Sequence, residues 1–174
     1  MPDMDWKVRL QDVHTRSLAA WRSGRRSPSA MFSDEDVLFL ASIGCSAQEM
    51  FDFVDDLMDY GEPDFETVLG VQEIRREYFL DVMKGAASGF VASMDSLPPK
   101  SAAIEGIAWL PRLIVKARLK LRGEMPPELM YGCGGDRPFL RRMNLTLPSF
   151  LALVRDLGDD DARIVSAVKK AAGL

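Results

Sequence analysis

Apolar side chains recur at three- and four-residue spacing along almost the whole chain, which is the helical period, and nothing reads as a convincing strand. The spacing predicts a first helix over about 9–23, with Leu10, Val13, Leu18 and Trp21 on one side. Ser23-Gly24 breaks it, and Arg25 to Ser29 extend the break. Ser33 or Asp34 caps a helix of 34–43, and Gly44 suits the left-handed position that ends one. Ser46 and Glu49 have capping-box spacing for a helix over 47–59. That helix turns Met50, Phe53, Val54 and Leu57 inward and Asp52, Asp55, Asp56 and Asp59 outward. Asp64 caps a longer helix over 65–94, within which Gly85 and Gly89 are weak points.

The double proline of Leu97-Pro98-Pro99-Lys100 disfavours helix and sets the internal boundary. A helix over 102–122 follows, closed by Gly123 to Pro127. The glycine-rich loop Tyr131-Gly132-Cys133-Gly134-Gly135 then leads to Asp136, expected to cap the next helix. Helices over 147–157 and 160–172 finish the chain, with Asp159, Asp160 and Asp161 near the positive end of the last.

Two segments of this pattern coincide. Phe39-Leu40-Ala41-Ser42-Ile43-Gly44-Cys45-Ser46 answers Phe139-Leu140-Arg141-Arg142-Met143-Asn144-Leu145-Thr146 one hundred positions on, without a gap. Asn144 stands for Gly44 and Thr146 for Ser46, so helix stop and cap are both kept. Surface charge is not kept, since Ala41-Ser42 becomes Arg141-Arg142 and Asp55 becomes Arg155. The expected fold is all-α: a compact multi-helix domain with a repeated helix-turn-helix unit at 34–59 and 136–157. Residues 1–97 and 98–174 form two halves of one packed unit.

A hydrophobic content of 47% and a charged content of 28% fit a soluble globular protein. No apolar run is long enough to span a membrane and no secretory signal is evident. Two cysteines, Cys45 and Cys133, are read as reduced thiols in a cytoplasmic protein. With a lone His14 they make no zinc set, so neither metal nor cofactor is expected. Residues 1–33 carry six basic and three acidic groups, 34–100 four and fifteen, and 101–174 twelve and eight. An acidic middle therefore faces a basic C-terminal third, which suits attraction within the molecule, a homodimer, or an anion on the basic part. The sequence pI of about 5.1 argues against nucleic acid as a partner.

Candidate chemistry concentrates between 107 and 137. Leu110, Leu113, Ile114, Ala117 and Leu121 make one apolar stripe, with Val115 and Leu119 opposite it. A helix apolar on two sides is sandwiched, which sends Arg112, Lys116 and Lys120 to one edge and Arg118 and Arg122 to the other. Arg112 and Lys116, one turn apart, can grip one anion or can pair with acids of the 34–100 segment. The loop N–H groups of 132–135, helped by Arg137, could cradle a phosphate or carboxylate, although the Asp136 carboxylate competes for them. Asp136 with Tyr131 or Lys116 could serve acid/base work. Cys133 is a candidate nucleophile only if a cation such as Lys116, Arg118 or Arg137 lies beside it.

The segment Ile107 to Arg118, with Gly123, Tyr131-Gly132-Cys133 and Asp136-Arg137-Pro138-Phe139-Leu140, resembles the bacterial family catalogued as domain of unknown function 5069. Arg112, Lys116, Arg118, Tyr131, Cys133, Asp136, Phe139 and Leu140 fall on its pattern. Val115 departs from it where the family has an aspartate, and Gly135 where it has an apolar residue. The resemblance is strong over about 100–172, and the N-terminal part looks like longer members. It implies no established activity. The expected function is that of an uncharacterised binding or interaction module without a catalytic motif, whose partner is a protein. The rival is a small-anion-binding protein or enzyme with a pocket between helix 107–122 and loop 131–137. Its candidate ligand-binding residues are Arg112, Lys116, Arg118, Tyr131, Cys133, Asp136 and Arg137.

Overall fold

The computed structural model describes residues 2–174, with side chains from residue 5 onward. Its regular structure is helical apart from one short hairpin among the described residues. Contacts divide the chain into two compact units, Met1–Gly85 and Ala86–Leu174. Among the described residues no single helix is long and apolar enough to cross a membrane.

The first unit holds α1 (Pro2–Arg22), α2 (Pro28–Met31), α3 (Asp34–Ser42), α4 (Ala47–Tyr60) and α5 (Phe65–Glu77). Helix α1 packs on α4 and α5. Its buried seam runs through Trp6, Leu10, Val13, His14 and Ser17, one helical face. Leu18 and Trp21, expected on that face, are only half-buried. Trp21 lies beside the acidic face of α4, where its indole N–H donates to Asp55 at 2.7 Å. Polar ties also join the elements. Lys7 pairs with Glu73 of α5. Arg16 forks onto Asp36 of α3, its two Nη atoms 3.1 and 2.8 Å from the carboxylate oxygens. That fork and the Ser33 cap hold the Asp36 carboxyl down to about 2.

Ser33 caps α3 and Ser46 caps α4, each in a capping box closed by Asp36 and Glu49 respectively. Helix α5 stops earlier than its pattern predicts. Its end widens into a π-helical turn over Tyr78–Val82, in which the Met83 N–H reaches the Tyr78 carbonyl. Lys84 and Gly85 then both turn left-handed, and the Gly85 N–H closes on the Phe79 carbonyl at 2.8 Å. This double left-handed stop uses up the last carbonyls, so no helix continues to 94.

The second unit holds β1 (Ala103–Ile104), β2 (Ile107–Ala108), α6 (Leu110–Arg122), α7 (Asp136–Arg142), α8 (Leu147–Leu157) and α9 (Asp161–Ala172). Residues 86–97 pack with it, pinned by an Ala92 N–H to the Glu124 carbonyl at 2.9 Å. The helix expected from 102 instead begins at Leu110. Before it, Glu105 and Gly106 take positive φ values of 48° and 80°, a primed hairpin turn that pairs Ile104 with Ile107. Trp109 also has positive φ, at 76°, and Pro111 then starts the helix in its first turn. As predicted, α6 is apolar on two sides. Leu110, Leu113, Ile114, Ala117 and Leu121 are buried, and α6 packs on α8. Opposite, Leu119 and Val115 meet Ala92, Leu97, Leu129 and Met125.

The two junctions α3–α4 and α7–α8 share their bonding. The N–H groups of Ile43, Gly44 and Cys45 reach the carbonyls of Leu40, Ala41 and Leu40, while those of Met143, Asn144 and Leu145 reach Leu140, Arg141 and Leu140. Gly44 and Asn144 are both left-handed, at 76° and 54°.

The acidic face of α4 has a pH consequence. Burial, aided by repulsion from Asp56, Glu49 and Asp55 and opposed by a Gln48 hydrogen bond, raises the Asp52 carboxyl to about 6. An acid raised on folding holds its proton more tightly in the native state. Its penalty is therefore complete above pH 6 and is relieved as pH falls towards 4. His14 acts in the opposite sense. Its Nε2 is buried without a hydrogen-bond partner, and burial lowers its pKa, so stability is lost as pH falls below the unfolded value of 6.5. Asp52→Asn is accordingly expected to raise Tm at pH 7.5. The gain should vanish by pH 4, where wild-type Asp52 is itself neutral; a Tm series across that range checks it.

Candidate functional site

The polar centre of the second unit is the Asp136 carboxylate, which is 0% exposed. Helix α7 begins with this residue, yet Asp136 does not cap it. The cap position is Gly135, without a side-chain bond. The carboxylate turns back into the loop instead. One oxygen accepts the Trp109 indole N–H at 2.9 Å. The other accepts the Gly132 N–H at 2.9 Å, the Cys133 N–H at 3.3 Å and Lys116 Nζ at 2.5 Å. The loop donors at 132 and 133 are thus filled from within the chain.

Lys116 lies on α6 and is 2% exposed. Besides Asp136, its Nζ approaches Cys133 Sγ at 3.3 Å. Lys116, Cys133 and Asp136 are therefore brought together, and the cation that sequence could not place beside the thiol is there. Cys133 itself is partly exposed and unbridged, and Cys45 is buried and unbridged.

The remaining nominated residues point elsewhere. Arg112 donates to the Pro98 carbonyl at 2.9 Å. Arg118 grips the Gly158 carbonyl and Asp161 of α9. Arg137 Nη1 donates to the Gly132 carbonyl at 2.7 Å, bracing the loop. The Tyr131 hydroxyl donates to the Leu147 carbonyl at 2.7 Å, and burial, then the Asp136 charge, raise its pKa well above the usual value. Three cations of this region pair with acids inside the second unit: Lys116 with Asp136, Arg118 with Asp161, and Arg122 with Glu124. Asp161 opens α9, and Glu124 follows the Gly123 cap of α6. A hollow of about 400 Å³ lies away from these residues, lined by Glu105, Ser166, Lys169, Lys170 and Leu174. Among the described residues no group of His, Cys, Asp and Glu is placed to hold a metal ion.

Trp109 is the member that sequence reasoning missed. A signal existed in Gly135, whose lack of a side chain leaves a space at the start of α7. The Trp109 ring occupies that space. A Cβ built on Gly135 would stand 2.3 and 2.4 Å from the ring. The ring cannot yield easily, because Asp136 holds its N–H and the strained φ of Trp109 fixes its origin. Gly135→Ala is therefore expected to cost about 1–3 kcal/mol by overpacking. Gly134→Ala, whose Cβ would meet nothing closer than 3.9 Å, should cost little. Urea unfolding of the two variants compares them.

Fold and site together define an all-helical protein whose central polar cluster is a closed, internally neutral tie. Residues 97–173 match the model of a family described as Domain of unknown function (DUF5069). The second unit is thus similar to that family. No curated protein and no solved structure matches the chain.

Proposed function

We propose that the protein is a binding module that works through its surface, with a second copy of the chain as its lead partner. One observation carries this reading. The side chains a pocket would need are engaged inside the unit, while large apolar side chains stand outside. Phe90 and Val91 are 59% and 58% exposed, on a stretch whose backbone is pinned at Ala92. Adjacent apolar groups on a fixed backbone suit an interface, because little ordering remains to be done on contact. The charge division adds complementarity, with residues 34–100 acidic and residues 101–174 basic. In this reading the chain is a bacterial, cytoplasmic long form of the family it resembles, with the first unit as its addition.

Sedimentation of wild type and of the Phe90→Ser/Val91→Ser variant tests the proposal. Self-association of wild type, lost in the variant at unchanged Tm, is expected. A wild type that stays monomeric at every concentration while phosphorylated or carboxylated metabolites raise its Tm would replace this reading with anion binding.

A further inference from the structure

We propose that Lys116 and Cys133 form a reversible covalent bridge through one oxygen atom, N–O–S, when the protein meets hydrogen peroxide. Two reactive side chains from distant parts of the second unit are already in contact, with Nζ 3.3 Å from Sγ. The sulfur is partly exposed, so a small oxidant reaches it, and Lys116 Nζ lies directly behind it at 3.3 Å, where an oxidant that enters at the sulfur also reaches the amine. Asp136 Oδ2 stands 2.5 Å from Nζ, placed to take the ammonium proton and leave a nucleophilic amine. The only other cysteine, Cys45, is buried in the first unit. The group that oxidised Cys133 meets at contact distance is therefore an amine.

The chemistry balances with two equivalents of peroxide. The Cys133 sulfur attacks one peroxide oxygen, the O–O bond breaks, and a sulfenic acid and water result. A second peroxide enters past the sulfur and gives one oxygen to the Lys116 amine, leaving a hydroxylamine and another water. The hydroxylamine oxygen then attacks the sulfenic sulfur and the S–OH bond breaks, releasing a third water. Sulfur and nitrogen are each oxidised by two electrons, and each peroxide is reduced. Overall the chain gains one oxygen and loses two hydrogens. A thiol reductant reverses the bridge by attacking sulfur.

Intact mass and peptide mapping of peroxide-treated full-length protein test the proposal. The expected product carries the mass change of one oxygen gained and two hydrogens lost, joins the peptides of Lys116 and Cys133, and reverts with dithiothreitol. It should persist in Cys45→Ser and be absent from Cys133→Ser. Lys116→Arg keeps a cation for Asp136 and should yield sulfenic acid at Cys133 without the bridge. Wild type alone decides the matter if a variant fails to fold. A Cys133 that is trapped as sulfenic acid or proceeds to sulfinic acid, with Lys116 still cleaved by trypsin, overturns the bridge, as does a Cys133 inert to peroxide.

Discussion

Asp136→Ala is expected to destabilise the second unit by about 3–5 kcal/mol, because it leaves the Lys116 ammonium buried without its counter-charge. The ammonium cannot move to water, since Lys116 is 2% exposed and sits mid-helix on α6. The same change orphans the Trp109 indole and the N–H groups of Gly132 and Cys133, each a further cost. Removing both charges should behave differently. In Lys116→Met/Asp136→Leu the methionine keeps the aliphatic volume, no ion is left behind, and a substantial part of the loss should return. A double-mutant cycle by urea unfolding measures this. If Asp136→Ala costs under about 1 kcal/mol, the carboxylate is not the centre of the unit. If the double variant is worse than the sum of the singles, the ion pair is not what makes the single change costly.

The same residue shows why part of the structure was legible in the chain and part was not. Ser46 with Glu49, and Gly44 or Asn144 at a helix end, act within three or four residues of themselves, so spacing alone predicts their bonds. The two-sided burial of α6 is likewise a property of one segment. Asp136 also has the spacing of a cap, yet its carboxylate is drawn to a lysine twenty residues back and an indole further still. A charged hydrogen bond in a dry interior outweighs one more exposed helix-end bond, and nothing local records that competition. The hairpin at 103–108 escaped for a similar reason. Its residues have helical spacing, but Glu105 and Trp109 take left-handed conformations that only surrounding contacts impose.

Phe39→Ala and Phe139→Ala are expected to cost about 3–5 kcal/mol each, and to do so separately. Both side chains are buried within short helices, α3 and α7, that lead into left-handed stops. A nine- or seven-residue helix has little stability of its own, so its apolar anchor carries most of what holds it in place. The residues lie in different compact units, so the two losses should add in the double variant within about half a kcal/mol. Their surroundings differ, because the Arg9 guanidinium lies over the Phe39 ring at 4.5 Å while the Arg142 guanidinium stands 5.9 Å from Phe139. Arg9→Met should therefore weaken the first unit modestly, whereas Arg142→Met should leave the second nearly unchanged. Matching losses for the two phenylalanines would mean that the shared sequence marks a shared structural role. A cost near zero at either would mean that only the backbone of the junction is alike, and that the repeated letters are a coincidence of composition.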